Sequence, residues 1–235
     1  MILAIESATA HGSVALVSGD AVLAEAALPR GRQSSETFLS AVEELLRATG
    51  SEPGNVTHVA VSAGPGSFTG LRVGMAAAKG FCFGWGVPLV PVPTLHALAL
   101  RFPAAGATVC PVLDAKKKEV YAGLFRWEGG ECRRLSPDMA VPPDALPGRL
   151  PEGTVFFCGD GAAPFGVLFR ERLGGRAVFA PEGEGLPSAG AVGLLAARLI
   201  REGAAVEARS AVPAYIRPSE AEIKRGARNQ PLRID

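Results

Sequence analysis

Chemistry in this chain must come from a few polar and glycine-rich stretches, and the densest is Gly64-Pro65-Gly66-Ser67-Phe68-Thr69-Gly70. Val59-Ala60-Val61 leads into it as a buried strand. Its glycines allow positive φ or close backbone approach, and Pro65 fixes one φ between the first two. With Thr69 capping a helix from about Gly70, the loop would leave backbone N–H groups free for an anion, a carboxylate or a partner's backbone. It is not a Walker A loop, because Leu71-Arg72 follow where Lys-Ser/Thr is needed. It is not a dinucleotide fingerprint either, because Thr69 stands where the third glycine belongs. A tight strand-to-helix turn that binds nothing accounts for the loop equally well.

Other polar turns fall at strand ends. Glu6-Ser7-Ala8-Thr9 lies between the first two strands, where a phosphate-binding turn could sit, and Asp114 and Gly159-Asp160-Gly161-Ala162 close two later ones. An active phosphotransferase would gather Glu6, Asp114 and Gly159-Asp160-Gly161 around ATP. His11, His58 and His96 are too dispersed to suggest a metal site, and each alone reads as a surface or satisfied core residue. A metallopeptidase would need a His-Glu-His-type ligand set that the sequence does not offer.

The chain's 235 residues suit one or two domains, and 48% hydrophobic with 20% charged residues excludes a disordered protein. A net charge of +1 provides no sequence-wide field for nucleic acid. Lys116-Lys117-Lys118 and the tail residues Lys224, Arg225, Arg228 and Arg233 are local basic groups, of a kind that is usually solvated surface. Cys82, Cys110, Cys132 and Cys158 show no C-x-x-C spacing, and a strand-like run begins at Ile2, so a cytoplasmic protein with reduced thiols is expected. The uncharged run from Gly80 to Leu100 is broken by Pro88, Pro91 and Pro93, which argues against a membrane span.

These residues are positioned by elements that read in order as βββαβαβα over the first hundred residues. Strands at 2–5, 13–17 and 22–28 form an antiparallel meander, and Ser34 or Ser35 caps a helix running to Thr49. A strand at 56–62, a helix at 70–85, a strand at 88–92 and a helix capped by Thr94 follow. A second cycle has strands at 108–113, 119–125 and after Gly129-Gly130, and an irregular segment at 137–151. A strand at 155–158, a helix at 164–173, a strand at 177–179 and a helix at 188–202 complete it. Two meanders with polar turns indicate an α/β protein with the two related lobes of the actin-like ATPase (ribonuclease H-like) fold. Expected boundaries are an N-terminal, partner-binding lobe at 1–103, a degenerate second lobe at 104–186, and a C-terminal helix and tail at 187–235 packing back on the first lobe.

The helix at 71–85 is apolar nearly all round. Leu71, Met75, Ala78, Cys82 and Trp85 share one face with Phe81 beside them, while Val73, Ala76, Ala77, Gly80, Phe83 and Gly84 lie opposite. Only Arg72 and Lys79 form a polar strip. Such a helix is either central core or has its second face covered by another chain. On the second reading the two first-lobe helices present Leu39, Val42, Val73, Ala76, Ala77, Gly80 and Phe83 as one docking surface.

Several segments together resemble a known family: Ile2-Leu3-Ala4-Ile5-Glu6-Ser7, the Gly64–Gly70 loop with Leu71-Arg72-Val73-Gly74, Ala78-Lys79-Gly80, Asp114-Ala115-Lys116-Lys117-Lys118-Glu119-Val120-Tyr121 and Pro213-Ala214-Tyr215-Ile216-Arg217. Along nearly its full length the chain looks like the TsaB (YeaZ) family of bacterial tRNA threonylcarbamoyladenosine synthesis. The resemblance implies a non-catalytic subunit that binds the catalytic paralogue TsaD, which transfers threonylcarbamoyl from threonylcarbamoyl-AMP to the adenosine beside the anticodon. It also implies an ATPase partner, TsaE, a homodimer when alone, tRNA contact only through the complex, and no cofactor in isolation, with ATP or ADP at an interface of the complex. Glu6, Ser7, Asp114, Gly159, Asp160 and Gly161 then become a degenerate nucleotide site, since Glu6 stands where the family and related kinases place Asp. A catalytic paralogue would carry an H-x-x-x-H metal pair on its first helix, whereas that helix here begins Arg32-Gln33-Ser34-Ser35-Glu36.

Overall fold

The structure, a computed structural model, describes residues 1–30 and 34–216. Arg32, Gln33, Arg217, Lys224, Arg225, Arg228 and Arg233, and with them most of the expected tail, lie outside the described residues. Strands β1 (Ile2–Glu6), β2 (Ser13–Ser18) and β3 (Ala21–Ala27) form the antiparallel meander. After helix α1 (Ser35–Ala48), strand β4 (His58–Gly64) pairs parallel to β1. After helix α2 (Phe68–Trp85), β5 (Leu89–Pro93) pairs parallel to β4, which gives the order β3-β2-β1-β4-β5.

Alternation along these strands divides the core into two layers. Leu3 and Ile5 of β1, with Val14 and Leu16 of β2, pack against Phe38, Val42 and Leu45 of α1 and Met75, Ala78 and Cys82 of α2. The other face presents Ile2, Ala4, Ala15, Val17 and Ala60 to helix α5 (Ala189–Arg201), through Ala189, Val192, Leu195 and Ala196. Those facing residues are small because α5 lies close, and a Cβ on Gly193 would collide with Val17 and meet Ala4 at 3.1 Å. Glu25 fixes the helix start by accepting hydrogen bonds from the hydroxyls of Ser13 and Ser188, both at 3.0 Å.

Helix α3 (Thr94–Leu100) leads to the second sheet, and its Leu95, Leu98 and Ala99 share a cluster with Val109, Leu113, Phe125 and Cys158. That sheet has the path β10 (Met139–Val141), β7 (Val120–Ala122), β6 (Thr108–Asp114), β11 (Val155–Cys158), β12 (Ala177–Phe179). Strands β8 (Phe125–Glu128) and β9 (Glu131–Arg134) attach through β6, and α4 (Gly166–Leu173) packs beside β12. Two α/β sheets, the first opened by an antiparallel meander and continued by parallel strands, make this an actin-like fold.

Local expectations are corrected in four places. Helix α2 is capped by Ser67, whose hydroxyl accepts the Gly70 N–H at 3.3 Å, so Thr69 lies inside the first turn. Pro93 occupies the N-cap of α3, because the Thr94 hydroxyl instead accepts the Gly64 N–H at 3.1 Å. The strand expected at 119–125 splits after Ala122, where Gly123 donates its N–H to the carbonyl of Pro111. The segment expected to be irregular at 137–151 contains β10 and a 3-10 turn at Pro147–Arg149.

One connection departs from ordinary backbone geometry. Lys116, Lys117 and Lys118, between β6 and β7, have φ of 61°, 53° and 62°. A left-handed L-residue is disfavoured by roughly 1–2 kcal/mol, and glycine is not. Lys118→Gly should therefore stabilise the fold by about 0.5–1 kcal/mol after the unfolded-state entropy of glycine is subtracted. That corresponds to a rise in Tm of about 1–4 °C in a thermal melt. A fall in Tm would overturn this account of the turn.

Candidate functional site: the turn after β1 and the outer face of α2

Strand β1 delivers Glu6 into a turn that is closed from above by the loop after β4. Ser67 donates its N–H to the carbonyl of Ala8 at 2.7 Å. A Cβ on Gly66 would stand 2.6 Å from the Ala8 Cβ, and one on Gly74 would overlap the Ser7 side chain. These glycines serve the approach of the loop and α2 to the turn. Gly64, at φ 129°, lies against the carbonyl of Ala214 in the same way.

Three amides of the turn are engaged within the chain. Ser7 donates its N–H to the Ser62 hydroxyl at 3.1 Å, Ala8 to Glu6 Oε1 at 2.5 Å, and His11 to the Thr9 hydroxyl at 3.1 Å. Glu6 and Ser7 are fully buried. Burial pushes the Glu6 carboxyl up to about 7, opposed by hydrogen bonds from Ala8 and Ser62 and reinforced by the charges of Asp160 and Glu25. Glu6 Oε2 and the Ser7 hydroxyl are buried with no hydrogen-bond partner among the described residues.

The structure brings the second-lobe candidates near Glu6. Asp160 Oδ1 accepts the Asp114 N–H at 3.1 Å. Burial raises the Asp160 carboxyl, partly offset by that hydrogen bond, and the charge of Asp114 raises it further. Burial also works against ionisation of Asp114, but hydrogen bonds from the Lys116 side chain and backbone, with its charge, leave Asp114 below its ordinary value. Gly159 donates its N–H to Gly185 at 2.6 Å and Gly161 donates to Val112 at 3.0 Å. Both glycines lie hard against the backbone of β6. Glu6, Asp114 and Asp160 thus share one electrostatic neighbourhood, while the amides of Ser7, Gly159 and Gly161 are already engaged.

The proposed docking residues divide. Phe83 is 70% exposed and Leu39 50%, Ala76 and Gly80 are exposed, and Val73 is half-buried. A Cβ on Gly80 or Gly84 would meet nothing within 4 Å. Val42, at 1% exposure, and Ala77, at 9%, belong to the core beneath the sheet, which corrects their assignment to the surface. The helical wheel placed them on the wrong side because the two helices pack on each other and share that layer.

Sequence reasoning missed what the segment before residue 217 does. Ala214 donates its N–H to the carbonyl of Ala63 at 2.7 Å, and the Tyr215 ring lies 5.1 Å from that of Phe68. Arg72 stacks 3.8 Å above Phe68 and donates from Nε to the Tyr215 hydroxyl at 3.0 Å. A cavity of about 450 Å³ opens there, lined by Gly64, Pro65, Pro93, Arg134, Asp138 and Tyr215 among others. The signal available was Pro213-Ala214-Tyr215-Ile216, a short apolar segment after the last helix. Among the described residues, no group of three or more His, Cys, Asp or Glu is arranged to hold a metal, and no helix is long and apolar enough to cross a membrane.

Comparison with known proteins gives a consistent picture. A family model described as "TsaD: tRNA N6-adenosine threonylcarbamoyltransferase" matches residues 22–225. The tRNA threonylcarbamoyladenosine biosynthesis protein TsaB of Escherichia coli is 31% identical over 222 residues, covering 92% of this chain and 94% of that protein. The TsaB of Bacillus subtilis is 28% identical over 225 residues, covering 95% and 96%. Among solved structures, YeaZ from Pseudomonas aeruginosa superposes with a TM-score of 0.76 at 28% identity, covering 92% of this chain and 99% of that one.

The burial of Glu6 makes stability depend on pH. Below the ordinary carboxyl value of 4.5 both states are protonated; up to about 7 the unfolded chain loses the proton and the folded one keeps it. Folding therefore weakens as pH rises through this window, by up to ~3 kcal/mol for this group, and levels off above it. His58 and His96, both lowered by burial, contribute a slope of opposite sign, so the comparison must be with a variant. In urea unfolding between pH 5 and pH 8, Glu6→Gln should remove the falling component relative to wild type. An identical pH profile for the two proteins would contradict this.

Proposed function

The chain belongs to the TsaB (YeaZ) family of tRNA threonylcarbamoyladenosine biosynthesis proteins, and from that premise we propose that it is a non-catalytic subunit docking the TsaD-type transferase through the outer face of α2. The observation that carries this reading is the uncovered strip of Ala76, Gly80 and Phe83 on α2, edged by half-buried Val73, with exposed Leu39 on α1. Burying a side chain such as Phe83 or Leu39 is favourable by about 1.5–3 kcal/mol, and the glycines allow a partner helix to come close. A second copy of the chain occupies the same face when the transferase is absent, and the ATPase TsaE joins the transferase-bound form.

A separate catalytic role has less support. A nucleotide phosphate in the cleft would have to displace hydrogen bonds already made by Ser7, Gly159 and Gly161. A metal would have to be held by a carboxyl whose ionisation burial opposes, pushing it up to about 7. ATP or ADP therefore binds only at an interface completed by a partner, and the isolated chain turns over none. Transfer to the adenosine is the partner's chemistry.

The face is testable because it can be altered without touching the core. Ala76 and Gly80 point outward, and a side chain on Gly80 has open space. Ala76→Arg and Gly80→Glu should each leave the melting temperature within about 2 °C of wild type, as surface changes do. Each should abolish co-purification with the transferase and tRNA modification by the reconstituted proteins. Unfolding of both variants, or retention of the complex, would sink the proposal.

A further inference from the structure

The cavity of about 450 Å³ beside Tyr215 lies where the two lobes and the C-terminal segment meet. The first lobe contributes Pro65, Pro91 and Pro93, the second Arg134 and Asp138, and the C-terminal segment Val212, Tyr215 and Ile216. Its size is that of a small-molecule site, about 300–1,000 Å³. Three of its wall residues are prolines, each with one fixed dihedral and no N–H to offer. Adjoining backbone groups are engaged, since Gly64 donates its N–H to the Thr94 hydroxyl and Ala63 accepts from Ala214. The Tyr215 hydroxyl already accepts from Arg72. The charged groups that face the cavity are therefore Arg134 and Asp138.

These two are held as a pair. Arg134 donates from Nη1 to Asp138 Oδ1, and its guanidinium lies 4.8 Å from the centre of the Phe125 ring. A Cβ on Gly123 would stand 2.9 Å from Asp138 Oδ1, so the glycine leaves the carboxylate its place. The side chain of Asp138 is only 15% exposed, and burial pushes its carboxyl up while Arg134 opposes the shift. Among the described residues, neither the remaining guanidinium donors nor Asp138 Oδ2 makes a further hydrogen bond.

We propose that this cavity binds a free amino acid with an apolar side chain, its carboxylate on Arg134 and its ammonium on Asp138. Guanidinium, Asp138 carboxylate, ligand ammonium and ligand carboxylate then alternate in charge around a closed ring of hydrogen bonds. The protein pair is neutral as a whole, so a zwitterion matches it. A ligand with one charge would leave another uncompensated in a partly dry site. The apolar side chain lies against the prolines, Val212 and Tyr215, which removes its surface from water. This inference goes beyond the subunit reading and does not depend on it.

The test uses the isolated full chain, with L-leucine as probe and calorimetric titration as readout. L-Leucine should bind saturably at one site, with a Kd of about 1 mM or below. Its analogues 4-methylpentanoate and 3-methylbutylamine, each lacking one charge, should bind roughly tenfold or more weakly. Arg134→Gln and Asp138→Asn should each weaken L-leucine by roughly the same factor. Ala214→Trp keeps the charged pair but fills the cavity from an exposed position, and it should abolish binding with a Tm within about 2 °C of wild type. Arg133→Gln, whose side chain pairs with Glu131, should bind like wild type. Absence of saturable binding to the wild-type chain would overturn the inference. So would equal binding of the singly charged analogues, or undiminished binding by Ala214→Trp. Tighter binding of N-acetyl-L-leucinamide than of L-leucine would make the cavity a peptide groove and overturn it as well. If the two charge variants fail to fold, the analogues and Ala214→Trp decide.

Discussion

The first lobe depends on one close approach, that of the segment from Gly64 to Gly74 to the turn after β1. Gly66 lies against Ala8 and Gly74 against Ser7, and the Ser67 N–H joins the carbonyl of Ala8. Side chains at these glycines would hold the two backbones apart, so α2 could not start where it does. With the approach made, Leu71, Met75, Ala78 and Cys82 are buried, and Ala76, Gly80 and Phe83 are turned outward.

The same contact determines what the turn can do chemically. A β-hairpin turn with open amides attracts phosphate, but here the loop covers the turn, and Ser62, Glu6 and Thr9 take the N–H groups of Ser7, Ala8 and His11. Covering it also buries Glu6, whose carboxyl then shifts toward the neutral form because solvation of the charge is lost. Closure of the turn and the raised Glu6 carboxyl thus have one physical origin. The glycine-rich loop shapes the protein by letting its own chain fit.

Much of the architecture was legible because it rests on periodicity. Strands β11 and β12, a helix capped by Ser34 or Ser35, and a helix at 188–202 follow from apolar runs and turn residues alone. The failures were tertiary. Thr94 looks like a cap but its hydroxyl serves Gly64, which is thirty positions away. Val42 and Ala77 look like surface on a wheel, yet two helices meeting over one sheet bury a wider arc than one helix alone. The left-handed lysine turn was invisible because lysine gives no local signal for positive φ. Of the candidate site, the electrostatic grouping of Glu6, Asp114 and Asp160 was readable from strand ends. The engagement of the neighbouring amides was not, since it depends on contacts with Ser62, Gly185 and Val112.

These observations divide the molecule by the kind of force each region exerts outward. The first lobe offers an apolar strip whose attraction scales with area and is insensitive to salt. The second lobe offers the Arg134–Asp138 pair at the cavity beside Tyr215, whose attraction is electrostatic and falls as salt rises. Between them, the cleft has its acids engaged with one another, with backbone N–H groups or with Lys116, and so contributes little of either force. The polar groups of the cleft are mostly satisfied within the chain; Glu6 Oε2, the Ser7 hydroxyl and His11 Nδ1 are the buried side-chain atoms left without a hydrogen-bond partner among the described residues.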